Sequence, residues 1–116
     1  MIKSLKHRGL KRLYERADRS GIRPDLIETV ERILTVLDTA TSPQALNLPG
    51  YRLHQLKGEW KGFWAVTVRA NWRIIFRFKN GHPYDVELID YHQEGDKRYA
   101  YEEPRAPRPD RAPRLS

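Results

Sequence analysis

The chain contains no cysteine, so neither a disulfide nor a thiolate metal site holds it together, and its fold does not depend on redox state. No apolar run comes near the roughly 18–20 residues that a membrane helix requires. The opening charges, in Met1-Ile2-Lys3-Ser4-Leu5-Lys6, are not followed by the apolar stretch of a signal peptide. A cytoplasmic protein is the expectation. Acidic residues are also in short supply: 15 Asp and Glu stand against 22 Lys and Arg, a net charge of +7 and a pI near 9.9. On 116 residues that surplus favours a polyanionic partner, either nucleic acid or an acidic protein segment. A merely solvated basic surface is the plain alternative.

What is present suffices for one domain with a modest core: 39% hydrophobic residues, with three Trp, six Tyr and three Phe. Residues 2–6 alternate weakly between apolar and polar, as a short edge strand would. Leu10, Leu13 and Tyr14 then fall at i, i+3 and i+4, which predicts a short helix with a basic outer face, broken at Ser20-Gly21. A second helix starts at Pro24, with Asp25 and Glu28 near its positive end. Leu26, Ile27, Val30, Ile33, Leu34 and Leu37 make one apolar stripe, and Glu28 and Arg32 are spaced as an i, i+4 pair. The helix stops before Thr41-Ser42-Pro43, and a further turn over 42–46 leads to the Pro49-Gly50 break.

Residues 51–92 read as four short strands. In the second, Trp64, Val66 and Val68 share a face opposite Phe63, Ala65, Thr67 and Arg69. After a tight turn at Ala70-Asn71, the third sets Trp72, Ile74, Phe76 and Phe78 against Arg73, Ile75, Arg77 and Lys79. Asn80-Gly81 is a type I′ hairpin signal, because that turn needs positive φ at both central positions. The fourth strand, residues 84–89, puts Val86 and Leu88 on one face. One apolar and one polar face per strand predicts an antiparallel sheet covered on one side only, with the two helices as the cover. The uncovered face would carry Arg73 and Arg77, with Arg52 and His54. The fold class is therefore α+β. Continuing the alternation puts Asp90 and His92 on the core side and Tyr91 on the other. That conflict is resolved if the strand runs out near Asp90.

Residues 93–116 differ in composition. They hold four of the eight prolines, with six basic and five acidic residues, so +6 of the +7 belongs to residues 1–92. Repeated proline and few large apolar residues predict a disordered appendage.

Metal-free RNA cleavage needs few parts. A 2′-hydroxyl must lose a proton as it attacks the adjacent phosphate, the 5′-oxygen must gain one, and the added charge must be stabilised. Histidine can move the protons near neutral pH, arginine and lysine can hold the phosphate, and tyrosine can donate or stack. His54, Lys57, Arg73, Asp90, Tyr91 and His92 contain that set. Each has a simpler reading: a lone strand histidine is more often structural, Arg73 and Arg77 fit a solvated face, and Asp90 fits an ion pair. Trp60 and Phe63 are either surface aromatics or base-stacking platforms.

Residues 1–92 resemble the HigB toxins of the RelE/ParE superfamily. The resemblance rests on Met1-Ile2-Lys3-Ser4 with Lys6-His7-Arg8-Gly9-Leu10-Lys11, on Leu37-Asp38-Thr39-Ala40-Thr41, and on Tyr51-Arg52-Leu53-His54-Gln55-Leu56-Lys57-Gly58. It continues through Trp64-Ala65-Val66-Thr67-Val68-Arg69-Ala70-Asn71-Trp72-Arg73-Ile74 to Asp90-Tyr91-His92. Typical members stop at or just after that ending, so the tail is a departure. The resemblance implies two N-terminal helices packed on a small antiparallel sheet. It implies a toxin of a type II toxin–antitoxin pair, an endoribonuclease that cuts mRNA on the ribosome without metal or cofactor. It also implies a HigA-like helix-turn-helix antitoxin, with operator DNA bound only through the pair. By position, His54 and His92 would transfer protons with Asp90 and Tyr91 assisting, and Lys57 and Arg73, with Arg77 and Arg52, would hold RNA phosphate. Lys6, Arg8, Lys11 and Arg12 would touch ribosomal RNA. The competing readings are a ParE-like gyrase inhibitor and a non-catalytic nucleic-acid-binding module.

Overall fold

The computed structural model describes residues 1–91. His92 and the expected disordered appendage, residues 93–116, lie outside the described residues. Two helices, α1 (Arg8–Arg16) and α2 (Ile27–Thr39), precede a four-stranded sheet of β1 (His54–Gln55), β2 (Trp64–Arg69), β3 (Trp72–Lys79) and β4 (His82–Asp90). The strands lie in the order β1-β2-β3-β4 and every neighbouring pair is antiparallel. The α+β class and the helix-on-sheet layering are as expected.

Helix α1 begins at a histidine cap: the Leu10 N–H donates to His7 Nδ1 at 3.2 Å, which satisfies one of the orphan donors of the first turn. It ends earlier than the glycine suggested, at Ala17, whose left-handed φ of 57° closes the last turn on Arg12 and Leu13 carbonyls. Ser20-Gly21 instead serves a close approach. A Cβ on Gly9 would lie 2.3 Å from the Gly21 carbonyl oxygen, so bare backbone is what lets the loop pass α1. Proline at the start of the second helix produces a 3₁₀ turn, Pro24–Leu26, before α2 proper. The expected Glu28–Arg32 pair is absent. Arg32 turns to Thr29 at 3.4 Å, while Glu31 is bound in parallel by Arg19 from the preceding loop, both bonds at 3.0 Å. That pair links two elements rather than two turns of one helix.

Leu10 and Leu13 from α1 and Val30, Ile33, Leu34 and Leu37 from α2 close on Val66, Ile74, Phe76, Val86 and Leu88 of the sheet. Fully burying one such side chain stabilises by roughly 1.5–3 kcal/mol. The Tyr14 hydroxyl donates to Asp38 Oδ1, which also accepts from the Ile2 amide at 3.4 Å, so Asp38 ties α1, α2 and the N-terminus together. The N-terminal segment is not a strand of its own. It makes a single parallel bridge, Leu5 to Val86, with Lys3 N–H donating to Pro83 O at 2.9 Å and Lys6 N–H to Val86 O at 2.8 Å. It thereby covers the open edge of β4.

The sheet departs from simple alternation in two ways. The Asn80-Gly81 turn has φ of 53° and 77°, as a type I′ hairpin demands. Past it, the register shifts between Ile75/Arg77: Phe76 faces both Asp85 and Val86, and Asp85 sits at a left-handed φ of 53°. This bulge exchanges the parity of β4, so Pro83, Val86 and Leu88 face the helices while Tyr84, Glu87 and Ile89 face away. The second departure is that the far face is not bare. Leu56, Ala65 and Ile75 are buried there, with Trp60, Phe63, Ile89 and Tyr91 packed against them. A 3₁₀ turn, Gly58–Trp60, folds back so that the Phe63 N–H reaches Trp60 O at 3.0 Å and brings the indole onto that face. The sheet therefore has a large core on one side and a small one on the other.

Candidate active site

The far face of the sheet can be read as cross-strand rows. His54 pairs with Ala65, Ala65 with Ile75, and Ile75 with Glu87. One step along, Thr67 pairs with Arg73 and Arg73 with Ile89. His54 and Arg73 thus share a face, two strands and one row apart.

His54 is half-buried at the edge of the sheet. Its Nδ1 lies 2.9 Å from the Arg52 carbonyl oxygen. A carbonyl only accepts, so Nδ1 carries the proton and the lone pair of neutral imidazole is at Nε2. Arg52 itself sits at a left-handed φ of 53°, a conformation that costs an arginine on the order of 1–3 kcal/mol. That backbone turn aims its carbonyl at the ring. Adjacent Tyr51 is tied to the sheet through Thr67 N–H, at 2.7 Å.

Arg73 is half-buried. Its Nη1 donates to Ala70 O at 2.6 Å and to Trp72 O at 3.1 Å, so the guanidinium also holds the β2–β3 turn. Burial, and then the neighbouring Arg52 charge, push its pKa down, while Tyr91 and Asp90 oppose that shift. Asp90 is opposite Trp72 at the last pair of β4, and the Tyr91 N–H donates to Asn71 O at 2.7 Å. The strand ends at Asp90 as expected, with Tyr91 packed on the far-face cluster.

His54, Arg73 and Tyr91 thus lie on the far face, whereas Asp90, opposite Trp72, lies at the end of β4 on the helix-facing side, where simple alternation puts it. Lys57 stands exposed three residues beyond His54, capping the Gly58–Trp60 turn. Arg77 is placed apart. Its guanidinium is engaged by Asp85, with Nε donating at 2.7 Å and Nη2 in an ion pair at 2.6 Å, and its Cζ lies over the Phe63 ring, 5.2 Å from the centroid. It is therefore not a free phosphate ligand of the kind the alternation suggested. Lys6, Arg8 and Lys11 are exposed, whereas Arg12 is partly covered and 3.6 Å from Asp18.

Two far-face residues escaped the sequence reading. Glu87 is half-buried. Burial raises its carboxyl pKa, Lys6 pulls it back and Asp85 adds to the rise. Thr67 Oγ1 and Arg73 Nε are both buried without a hydrogen-bond partner, on directly opposed residues. Neither residue carries a sequence signal, because a glutamate or threonine between apolar neighbours reads as an ordinary solvent-facing position. A groove of about 460 Å³ between α1 and α2, lined by Leu13, Tyr14, Leu34 and Asp38, lies on the helical side and includes none of these residues.

Two helices on one face of a small antiparallel sheet, with a histidine and arginine group on the other, define a RelE-like toxin architecture. The chain belongs to the HigB-like toxin family, described as the RelE-like toxin of the type II toxin-antitoxin system HigB, which it matches over residues 3–92. It is 48% identical over 92 residues to the Endoribonuclease HigB of Proteus vulgaris, covering 79% of this chain and 100% of that protein. It is 32% identical over 83 residues to Toxin HigB-1 of Vibrio cholerae serotype O1, covering 70% and 87%. Among solved structures, YafQ of E. coli superposes with a TM-score of 0.49 at 18% identity, covering 75% of this chain and 89% of that one.

Proposed function

We propose that this chain is an endoribonuclease that cuts mRNA on the ribosome without a metal ion and is neutralised by a helix-turn-helix antitoxin. The observation that carries the reading is the His54–Arg52 hydrogen bond. It leaves a basic Nε2 on the same sheet face as the guanidinium of Arg73, which is what a base and a phosphate clamp require. The 48% identity to a protein named an endoribonuclease supports the same chemistry.

In this reaction His54 Nε2 takes the proton of the 2′-hydroxyl as that oxygen bonds to the adjacent phosphorus. The P–O5′ bond breaks, leaving a 2′,3′-cyclic phosphate. His92, which follows Tyr91 in the chain, gives a proton to the departing 5′-oxygen. Arg73 and Lys57 oppose the charge that builds on the phosphoryl oxygens. Asp90 and Tyr91 assist the proton transfers. Lys6, Arg8 and Lys11 face ribosomal RNA. The antitoxin couples the pair to operator DNA.

The test is a translation reaction with mRNA breaks mapped by primer extension, run beside a gyrase supercoiling assay. Discrete breaks that require ribosomes are the expected result. Blocked supercoiling with intact mRNA would sink the proposal.

A further inference from the structure

Arg77 is a basic residue of the far face that the cleavage chemistry leaves unused, and its surroundings give it a different task. Nε of Arg77 donates to Asp85 Oδ2 at 2.7 Å and Nη2 lies 2.6 Å from the same oxygen in an ion pair, so the guanidinium is held in place and its charge is balanced by the carboxylate. Its Cζ lies over the Phe63 ring, 5.2 Å from the centroid, within cation–π range. Phe63 is in turn braced edge-on by Trp60 at 5.5 Å and 86°. The Arg77 side chain is nevertheless 53% exposed, while Asp85 is only 17% exposed.

The support for Asp85 is unusually complete for a bulge residue. Its amide donates to Ser4 Oγ at 2.8 Å and the same hydroxyl donates to Asp85 Oδ1 at 3.2 Å, which together hold it in its left-handed conformation. A bulge, a serine from the N-terminal segment and a carboxylate thus converge on the orientation of one surface guanidinium. Arginine planes stack on aromatic rings and on nucleobases alike. A fixed plane loses less entropy on stacking than a free side chain would.

We propose that the outward side of the Arg77 guanidinium, backed by Phe63, is a stacking seat for one nucleobase of the bound RNA. The inference rests on the far face being the RNA-cleaving face. Arg77 pairs with Tyr84 and lies two residues along β3 from Ile75, in the row of His54, a displacement of roughly 7 Å. The base seated there belongs to a nucleotide close to, but not at, the scissile phosphate. Because Asp85 already balances the charge, the seat recognises a flat aromatic ring and not a phosphate.

The two roles give different signatures. Single-stranded RNA that is 2′-O-methylated throughout cannot be cut by 2′-oxygen attack. It is made with 2-aminopurine at successive positions and bound to the full chain. Stacking quenches the fluorescence several-fold at one position. Arg77→Lys keeps the charge and the Asp85 partner but has no plane. It is expected to abolish that quench, weaken binding about tenfold, a loss within the range typical of base stacking, and leave the salt dependence unchanged. Phe63→Leu, which spares the Arg77–Asp85 pair, is expected to reduce the quench. Melting curves of each variant report folding. No quenched position in the wild type, or an undiminished quench in Arg77→Lys, would overturn the seat. So would a salt slope lowered by about one with the quench intact, which is the mark of a phosphate contact. The signal needs binding alone, so a seat that quenches in a chain that cuts no mRNA separates this failure from that of the cleavage reading.

Discussion

His54→Asn separates the chemistry of the site from its architecture. The Asn amide can donate to the Arg52 carbonyl where Nδ1 does at 2.9 Å, but it offers nothing that takes a proton. Loss of that hydrogen bond in His54→Ala is worth at most about 1 kcal/mol, since the bond is exposed and a typical net contribution is 0.5–1.5 kcal/mol. For a domain of this size that is a fall of about 4–8 °C in melting temperature. His54→Asn should melt close to wild type. Loss of a general base removes about 10²–10⁴ in rate, equivalent to roughly 3–5 kcal/mol of transition-state stabilisation. The assay is single-turnover cleavage of ribosome-bound mRNA, with ribosome binding followed by co-sedimentation. The expected outcome is a rate at least a hundredfold lower with binding retained. A His54→Asn protein within tenfold of wild-type rate would refute the assignment, because a hydrogen-bonded amide cannot replace a base.

Three further outcomes concern stability. His7 caps α1 through the Nδ1 lone pair, and burial, then Arg12, holds its pKa below the ordinary 6.5. The folded state therefore binds that proton less readily than the unfolded chain, so stability is full above pH 6.5 and declines as pH falls below it. His7→Asn, which caps without titrating, should flatten that acid limb in melts from pH 7.5 to 5. Gly9→Ala should gain about 1 kcal/mol of helix propensity but place a methyl 2.3 Å from the Gly21 oxygen. Backbone on both sides cannot yield cheaply, so overpacking wins and denaturant titration should show a net loss of about 1–2 kcal/mol. Thr67→Val removes a buried hydroxyl that has no partner and should stabilise by about 1 kcal/mol, read as a higher denaturant midpoint with the slope unchanged.

Much of this protein was legible in local pattern. The 3.6-residue spacing of Val30, Ile33, Leu34 and Leu37 and the alternation of Trp72, Ile74, Phe76 and Phe78 locate the helices, the strands and the main core. They do so because burial selects one face and side-chain direction repeats with a known period. Asn80-Gly81 announced its hairpin for an equally local reason, the need for positive φ. Motif resemblance led to the HigB family, and sequence spacing by itself did not: His54 and Arg73 are nineteen residues apart and share a face only through two strand registers. Tertiary structure decided the rest. The bulge at Asp85 re-aimed the start of β4, so alternation, which places Glu87 opposite Val86 and Leu88 correctly, puts Tyr84 on the core face when it lies on the far one. The hydrogen bond that orients His54 comes from a backbone carbonyl, and carbonyls are the same in every residue. Arg77 reads in sequence as one more basic residue on a solvated face. Its engagement by Asp85 and Phe63 depends on the bulge at Asp85 and on the strand register that sets Phe63 beneath its guanidinium.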